Sequence, residues 1–285
     1  MACYLCNSSE FRYRKGQVRD DPSLKIIECL ACGLVSLGSS DHIAPGHYEA
    51  GGMHGESPAS IEAWLRATDA DDSRRFDMLQ GQMANKRVLD FGSGAGGFLR
   101  KAQSVAAFAA GIEPETRVRE HWNGAISLHA DLKDADRDFD LITAFHVIEH
   151  LADPQTILTQ LAESLAPSGR IVIEVPNADD ALLTLYESEA FQRFTYWSQH
   201  LYLFNQETMR QLAGQAGLRV VAIRQMQRYP LSNHLHWLSK GKPGGHQQWA
   251  FLDTDVLVEA YEASLAALGK CDTIVAYLEK PDDHP

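Results

Sequence analysis

From Lys86 onward the chain alternates short apolar runs with segments of helical period. The first run, Arg87-Val-Leu-Asp-Phe91, opens directly onto a loop with glycines at 92, 94, 96 and 97. No other feature restricts the fold as strongly. Strands that are apolar on both faces need cover on both faces. Helices between successive strands supply it, so the pattern specifies an α/β chain with a parallel, doubly wound sheet. The runs predict strands at 87–91, 108–113, 125–129, 139–145, 170–175 and 218–224. Helices are predicted over 96–106, 115–122, 153–166 and 205–216. Asp153-Pro154 is an N-cap followed by proline at the first helical position. Pro167-Ser168-Gly169 reads as the turn that closes that helix. Sheets of this kind bind ligands beyond the carboxyl ends of their strands.

The 285 residues suit about two domains, or one large domain with an appendage. Hydrophobic residues at 45% and charged residues at 22% are ordinary for a chain that buries a core. The net charge of −12 argues against gripping nucleic acid through the general surface, which needs a basic face. It argues equally against an anionic membrane surface. No apolar run approaches the ~18 residues of a membrane span. Met1-Ala-Cys-Tyr-Leu-Cys6 lacks the basic and apolar regions of a signal peptide, so the expected location is the cytoplasm. Residues 41–58, rich in Gly, His and Pro, read as a linker or mobile loop. Residues 59–83 read as a helix, with Ile61, Trp64, Leu65, Phe76 and Leu79 in a broken apolar stripe. The expected organisation is a metal-binding segment over 1–40, a linker and lid helix over 41–84, and the α/β domain over 85–285.

Four of the five cysteines form two hooks, Cys3-x-x-Cys6 and Cys29-x-x-Cys32, 22 residues apart. In a chain without an export signal, disulfides are not expected. Two such hooks match a four-thiolate Zn²⁺ site, with a redox pair or an iron site as competitors. Gly33 suits the turn after Cys32. With all four ligands from protein, no position is open for water, so the role is structural. Residues 1–40 are too few for a core of their own, and metal would supply the missing folding energy. Cys271 reads as a small buried apolar residue.

The loop Asp90-Phe-Gly92-Ser-Gly94-Ala-Gly96-Gly97 is ambiguous on its own. Gly92, Gly94 and Gly97 fit the dinucleotide fingerprint G-x-G-x-x-G. Gly92, Gly94 and Gly96 fit the D-x-G-x-G-x-G loop that binds S-adenosylmethionine. Either way the glycines would let backbone approach a ligand, and the following helix start would favour an anion. Glu113, ending the second strand, could accept two ribose hydroxyls, or be a solvated strand end. Two later motifs separate the readings. They are Phe145-His146-Val-Ile-Glu149-His150-Leu-Ala-Asp153-Pro154 and Gln199-His200-Leu-Tyr-Leu-Phe204, the second followed by Ala216-Gly217-Leu218.

With the Asp90 loop, these motifs resemble the class I S-adenosylmethionine-dependent methyltransferases over about residues 85–226, whose seven-stranded Rossmann-like sheet is the doubly wound class. With its zinc-ribbon-like segment, the whole chain looks like bacterial methyltransferases that include sugar C-methyltransferases acting on nucleotide-linked deoxysugars. The resemblance implies that Asp90, Gly92, Gly94 and Gly96 hold the methionine end of S-adenosyl-L-methionine and that Glu113 holds its ribose. It implies that Asp131 accepts from the adenine amino group, that Leu132 flanks the ring, and that Phe145 and His146 line the floor near the sulfonium. The acceptor half departs from the sugar enzymes. They carry a Glu-His pair where this chain has Gln199-His200, and a tyrosine-rich stretch where it has only Tyr48 among His47 and His54.

Methyl transfer needs the nucleophile aligned at ~3 Å with water excluded, and a group to take its proton. Among twelve histidines, His200 is the first choice for that base, with His146 and His150 as further candidates. The alternative is that His200 merely fixes its own loop. His146-x-x-Glu149-His150 also matches an inverted zinc-protease pattern. That motif needs a long helix, and here it straddles a strand end and a loop. A divalent ion near these residues, as in some quinol O-methyltransferases resembling this chain, is a weaker reading. Residues 227–270 interrupt the expected final hairpin, with Cys271–Glu279 as the returning strand. Arg228, Tyr229, His234, His236, Trp237, Lys240, Lys242, His246 and Trp249 stand there around glycines. They read either as a clamp for a pyrophosphate-bearing ligand or as an exposed loop and packing helix. The leading expectation is a small polar acceptor, a sugar in nucleotide-linked or glycan-precursor form. The alternatives are a phenol or quinol, a macromolecular or carrier-linked acceptor, or a binding module without turnover.

Overall fold

The computed structural model describes residues 1–44, 46–49, 51, 53 and 58–281. His54 lies outside them. The strands are β1 Phe11–Tyr13, β2 Ile26–Cys29, β3 Val35–Leu37, β4 Arg87–Phe91, β5 Phe108–Ile112, β6 Ser127–His129, β7 Phe139–Phe145, β8 Leu165–Pro176, β9 Tyr202–Leu203, β10 Arg219–Met226 and β11 Thr273–Glu279. The α-helices are α1 Ile61–Met83, α2 Gly97–Ala102, α3 Thr116–Trp122, α4 Pro154–Ser164, α5 Ala181–Thr184, α6 Glu189–Thr195, α7 Gln206–Gln215, α8 Leu231–Lys240, α9 Gly245–Gln248 and α10 Asp255–Ala267.

The main sheet has seven strands in the order β10-β11-β8-β7-β4-β5-β6. Its parallel pairs are β4 with β5 and β7, β5 with β6, and β7 with β8. β11 pairs antiparallel with both β8 and β10. The six predicted strands and the returning strand are all present, in the expected doubly wound arrangement. Side chains alternate across a strand. Val88, Leu141, Val172 and Val275 therefore join Leu79, Met83 and Phe98 on the α1 and α2 face. Leu89, Ile142, Ile171 and Ile173 join Leu158, Leu161, Met209 and Leu212 on the α4 and α7 face.

Two boundaries differ from expectation. The Pro167-Ser168-Gly169 turn falls inside β8, which begins directly after α4. Gly169 is required there, because a Cβ would lie 2.6 Å from the Phe139 carbonyl oxygen. Helix α2 stops at Ala102, where the N–H groups of Ser104 and Val105 bond back only three residues. Asp153 caps α4 by accepting from Thr156 N–H, with Pro154 at the first helical position as predicted.

A second sheet joins the N-terminal segment to residues 202–203. Its order is β1-β2-β3-β9, so the cysteine-rich segment pairs antiparallel with residues just beyond His200. Val18, Ile26 and Val35 share an apolar cluster there with Tyr196, Leu203 and Ala178.

Candidate active site and metal centre

The glycine loop sits where β4 ends in the middle of the sheet. Asp90 is buried at that end and accepts from the Thr143 hydroxyl at 2.7 Å. Burial pushes its carboxyl up to about 6, against the lowering hydrogen bond from Thr143. Gly92 has φ +76°, and a Cβ there would lie 2.3 Å from Val147. At Gly96, with φ +84°, it would meet Trp122 at 2.6 Å. At these two positions glycine is also needed to admit the protein's own side chains, Val147 and Trp122. Gly94 does face the site. Its N–H donates to Glu113 Oε2 at 2.8 Å, and Glu115 N–H donates to Glu113 Oε1 at 2.8 Å. Burial dominates at Glu113 and pushes it up to about 7 despite those two donors.

Asp90, Gly92, Gly94, Glu113, Phe145, His146, His150 and His200 line one cavity of about 470 Å³. Tyr48, Met53, Trp64, Leu151, Trp197 and Arg228 complete much of its wall. Gly96 is absent from the lining because Trp122 covers it. Glu113 follows β5 and His146 follows β7, with β4 between them. Two strand spacings put about 10 Å between these ends of the site. Asp131 and Leu132 fall in an adjoining cavity of about 610 Å³ that shares Phe91, Ile112 and Pro114 with the first. Asp131 is exposed and engaged by Lys133, through N–H at 3.0 Å and Nζ at 3.0 Å.

The three histidines differ in protonation. His146 has φ +54° and sits between two buried carboxylates, with Nδ1 3.2 Å from Glu149 and Nε2 3.2 Å from Glu174. Burial disfavours its charge, but the two carboxylates win and its pKa is raised. Both ring nitrogens are thereby engaged within the protein, so neither is free to act on an acceptor. His150 donates Nδ1–H to the Gln199 carbonyl at 2.8 Å, and His200 donates Nδ1–H to the Thr195 carbonyl at 3.2 Å. Each then presents Nε2 as an acceptor. Burial lowers both, His200 to about 3 with the His150 charge adding to it. Their rings are 5.0 Å apart, and Trp197 is 5.4 Å from His200. Glu149, His150 and His200 bring ligand atoms within 4.8 Å of one another. Glu149 Oε2 is buried without a hydrogen-bond partner.

Of the basic and aromatic insert residues named above, only Arg228 lines the cavity. It pairs with Asp71 of α1 and lies 3.2 Å from His146 Nε2. Trp237 packs on Phe191 and Phe194, His234 bonds the Tyr261 hydroxyl at 2.7 Å, and His236 bonds the Lys242 carbonyl at 2.7 Å. The aromatic and histidine side chains of the insert are thus largely spent on packing within it and against α6, in keeping with the packing-helix alternative rather than the clamp. Sequence reasoning overlooked Trp197, Glu174 and Arg75. Glu174 is buried on β8, bonded by Arg74 and Arg75 at 2.8 Å each. Arg75 also lies over the Phe145 ring at 4.7 Å. A charged residue inside an apolar strand was the available signal for Glu174.

The four cysteines of the hooks converge. Cys3 and Cys32 sulfurs are 3.5 Å apart, as are those of Cys6 and Cys29, and all four lie within 4.8 Å. Zn–S bonds of ~2.3 Å give tetrahedron edges of about 3.8 Å, so the cluster has the right size. Burial raises the Cys29 thiol, but the N–H groups of Cys32 and Ala31 outweigh it and bring it down to about 7. Gly33 has φ +79°, as the turn requires. Cys271 is fully buried beside Leu265 and Ala181.

Comparison with known proteins fits this geometry. Residues 65–223 match the family model of a methyltransferase domain, Methyltransf_23. A ubiquinone biosynthesis O-methyltransferase of Rhizobium johnstonii is 24% identical over 200 residues, covering 64% of this chain and 79% of that protein. One from Rhizobium leguminosarum bv. trifolii is 27% identical over 200 residues, covering 64% and 77%. A SAM-dependent methyltransferase structure from Archaeoglobus fulgidus superposes with TM-score 0.51 at 18% identity, over 78% of this chain and 95% of that one. The family match spans more than half of the chain, which belongs to this methyltransferase family and is an S-adenosylmethionine-dependent methyltransferase.

Proposed function

We propose that the chain O-methylates a phenol or quinol in the cavity bounded by Trp197, His150 and His200. The observation that carries this reading is a pair of neutral imidazoles, each with Nδ1 committed to a backbone carbonyl, beside an indole wall. Tyr48, Met53 and Leu151 make the same region suited to a planar ring. The chain's similarity to the Rhizobium ubiquinone biosynthesis O-methyltransferases supports it. The sugar acceptor is the weaker reading. A nucleotide-linked sugar needs cations for its phosphates, and Arg228, the one insert cation on the cavity, is already paired with Asp71.

The donor site fits S-adenosylmethionine: a buried Glu113 faces the cavity beside Gly94 and suits a ribose diol. Asp90 and the glycine loop would hold the methionine end, and Asp131 and Leu132 the adenine side. When bound, this group supplies an electrophilic methyl on a sulfonium. Trp197 and Tyr48 orient the acceptor ring and exclude water. Nε2 of His200 or His150 accepts a hydrogen bond from the acceptor hydroxyl. A base with a pKa near 3 does not ionise a phenol beforehand. As the oxygen gains a methyl group its O–H becomes strongly acidic, and a weak neutral imidazole then suffices to take the proton. His146 contacts Glu174 and Arg228 pairs with Asp71, which fixes both carboxylates in place.

Two metal groups fit as well. The Cys3, Cys6, Cys29 and Cys32 cluster fits a structural Zn²⁺ and would contribute folding energy. Glu149, His150 and His200 would alternatively hold a divalent cation, which would occupy both Nε2 atoms and favour ionisation of a hydroxyl beside it in place of the imidazole base.

The test is thermal melting with saturating S-adenosylhomocysteine and a second ligand. A ligand at ~100 times its Kd adds about 2.7 kcal/mol. The expected result is a further rise with phenols or quinols and none with nucleotide-linked sugars. A rise confined to the sugars would reverse the assignment.

A further inference from the structure

We infer that the cysteine-held N-terminal segment is the seat of the loop carrying Trp197 and His200, with Asp20 as a positioning residue. Only the identity of the acceptor used in its test rests on the phenol or quinol reading.

Residues 196–201 join α6 to β9 without regular structure. One hydrogen bond, His200 N–H to the Trp197 carbonyl at 3.0 Å, closes a turn within them. Their grip comes largely from residues 19–47, with His150 Nδ1–H holding the Gln199 carbonyl from the other side. Arg19 N–H donates to the Tyr196 carbonyl at 2.9 Å, and the Arg19 guanidinium lies 4.5 Å from the centre of the Trp197 ring. Asp20 accepts from Ser198 twice, from N–H at 2.9 Å and from the hydroxyl at 2.6 Å. His42 donates to the Ser198 carbonyl at 2.7 Å, and His47 lies 2.7 Å from Gln199 Oε1. Leu37 N–H donates to the Leu201 carbonyl at 3.0 Å, and the β3–β9 ladder continues through Val35–Leu203 and Ser36–Tyr202.

This seat is tied to the metal centre by very little chain. Cys29 ends β2, and Cys32 precedes β3 by two residues. Gly33 N–H donates to the Cys29 carbonyl, and Cys29 N–H to the Leu34 carbonyl, each at 2.9 Å. A segment this small has too little core to hold a hairpin against chain entropy unaided. Its apolar cluster is shared with the loop it supports, through Tyr196 and Leu203. Asp90 and Glu113 hang instead on β4 and β5, with partners Thr143, Gly94 and Glu115. Loss of the metal, or of Asp20, therefore loosens the histidine loop and spares the donor site.

The experiment uses the full chain loaded with zinc, the same chain after removal of the metal, and the variants Asp20→Ala and Asp20→Asn. Three quantities are read: the imidazole ¹⁵N signals of His150 and His200, the Kd of S-adenosylhomocysteine, and kcat with a phenol or quinol acceptor. In Asp20→Ala and in the metal-free chain both imidazole signals move. Displacement of an aligned group predicts a kcat loss of about a hundredfold. Donor-site affinity stays within about twofold, as for a distant site. Asp20→Asn, which keeps an acceptor for Ser198 N–H, recovers most of the loss. Unmoved imidazole signals, or donor affinity lost in step with kcat, would overturn the inference. If the wild type turns over no phenol or quinol, the acceptor reading fails. The imidazole signals and donor affinity still decide the positioning role.

Discussion

At the scale of single residues, the site is a set of groups whose protonation is fixed by what they touch. Burial lowers the His200 pKa, whereas at His146 the two carboxylates outweigh burial and raise it. Replacing His200 by Ala is expected to lower kcat by about a hundredfold, within the usual range for a proton acceptor. Affinity for S-adenosylhomocysteine should hold, since Glu113 and Asp90 sit on other strands; steady-state kinetics beside calorimetry separates the two. Glu113 gives a pH signature. Its pKa rises from 4.5 to about 7 on burial, so the cofactor-free site is increasingly protonated below neutrality. A ribose diol donates best to the charged form. Cofactor affinity should therefore increase as pH rises through about 7, and Glu113→Gln should flatten that dependence in a calorimetric pH series. The same shift makes the unliganded fold lose stability as pH rises through about 7. Asp90, Glu113 and the four cysteines could be found from sequence because short spacing and a strand end define their chemistry. Trp197 and Arg75 could not, because Arg19 and Glu174, which they meet, lie far along the chain, and Glu174 itself was visible only as a charge within an apolar strand. Arg228 was visible as a cation, but only the fold pairs it with Asp71.

At the scale of elements, apolar alternation located the sheet and its helices, since burial on both faces leaves a continuous pattern. It could not reveal that β3 pairs with β9, because two- and three-residue strands carry no periodicity. Nor did it foresee that α1 bears buried charge. Arg74 and Arg75 of α1 and His146 all contact Glu174 of β8, so one carboxylate locks the helix to the sheet. Neutralising it deprives Arg74 and Arg75 of the carboxylate they share in a largely buried site. Glu174→Gln is expected to cost about 3–5 kcal/mol, as for a broken buried ion pair. Urea unfolding of this variant measures that loss. A cost below about 1 kcal/mol, as for an exposed pair, would mean the network is solvated.

At the scale of the whole molecule, Asp90 and Glu113 sit at the carboxyl ends of neighbouring strands, while Tyr48, α1 and the loop carrying Trp197 and His200 complete the cavity wall. The insert, which in sequence looked suited to phosphates, packs mainly on itself and contributes Arg228 to the cavity. Composition alone could not separate those roles, since a histidine bonded to a carbonyl and one awaiting a ligand are the same letter. The most direct test of the central claim is methyl transfer from labelled S-adenosylmethionine to matched phenols, quinols and nucleotide-linked sugars, with product identification by mass spectrometry. The account predicts label on a phenolic or quinol oxygen, greatly reduced in His200→Ala. Label on a sugar, or transfer to a phenol that is undiminished in His200→Ala, would contradict it.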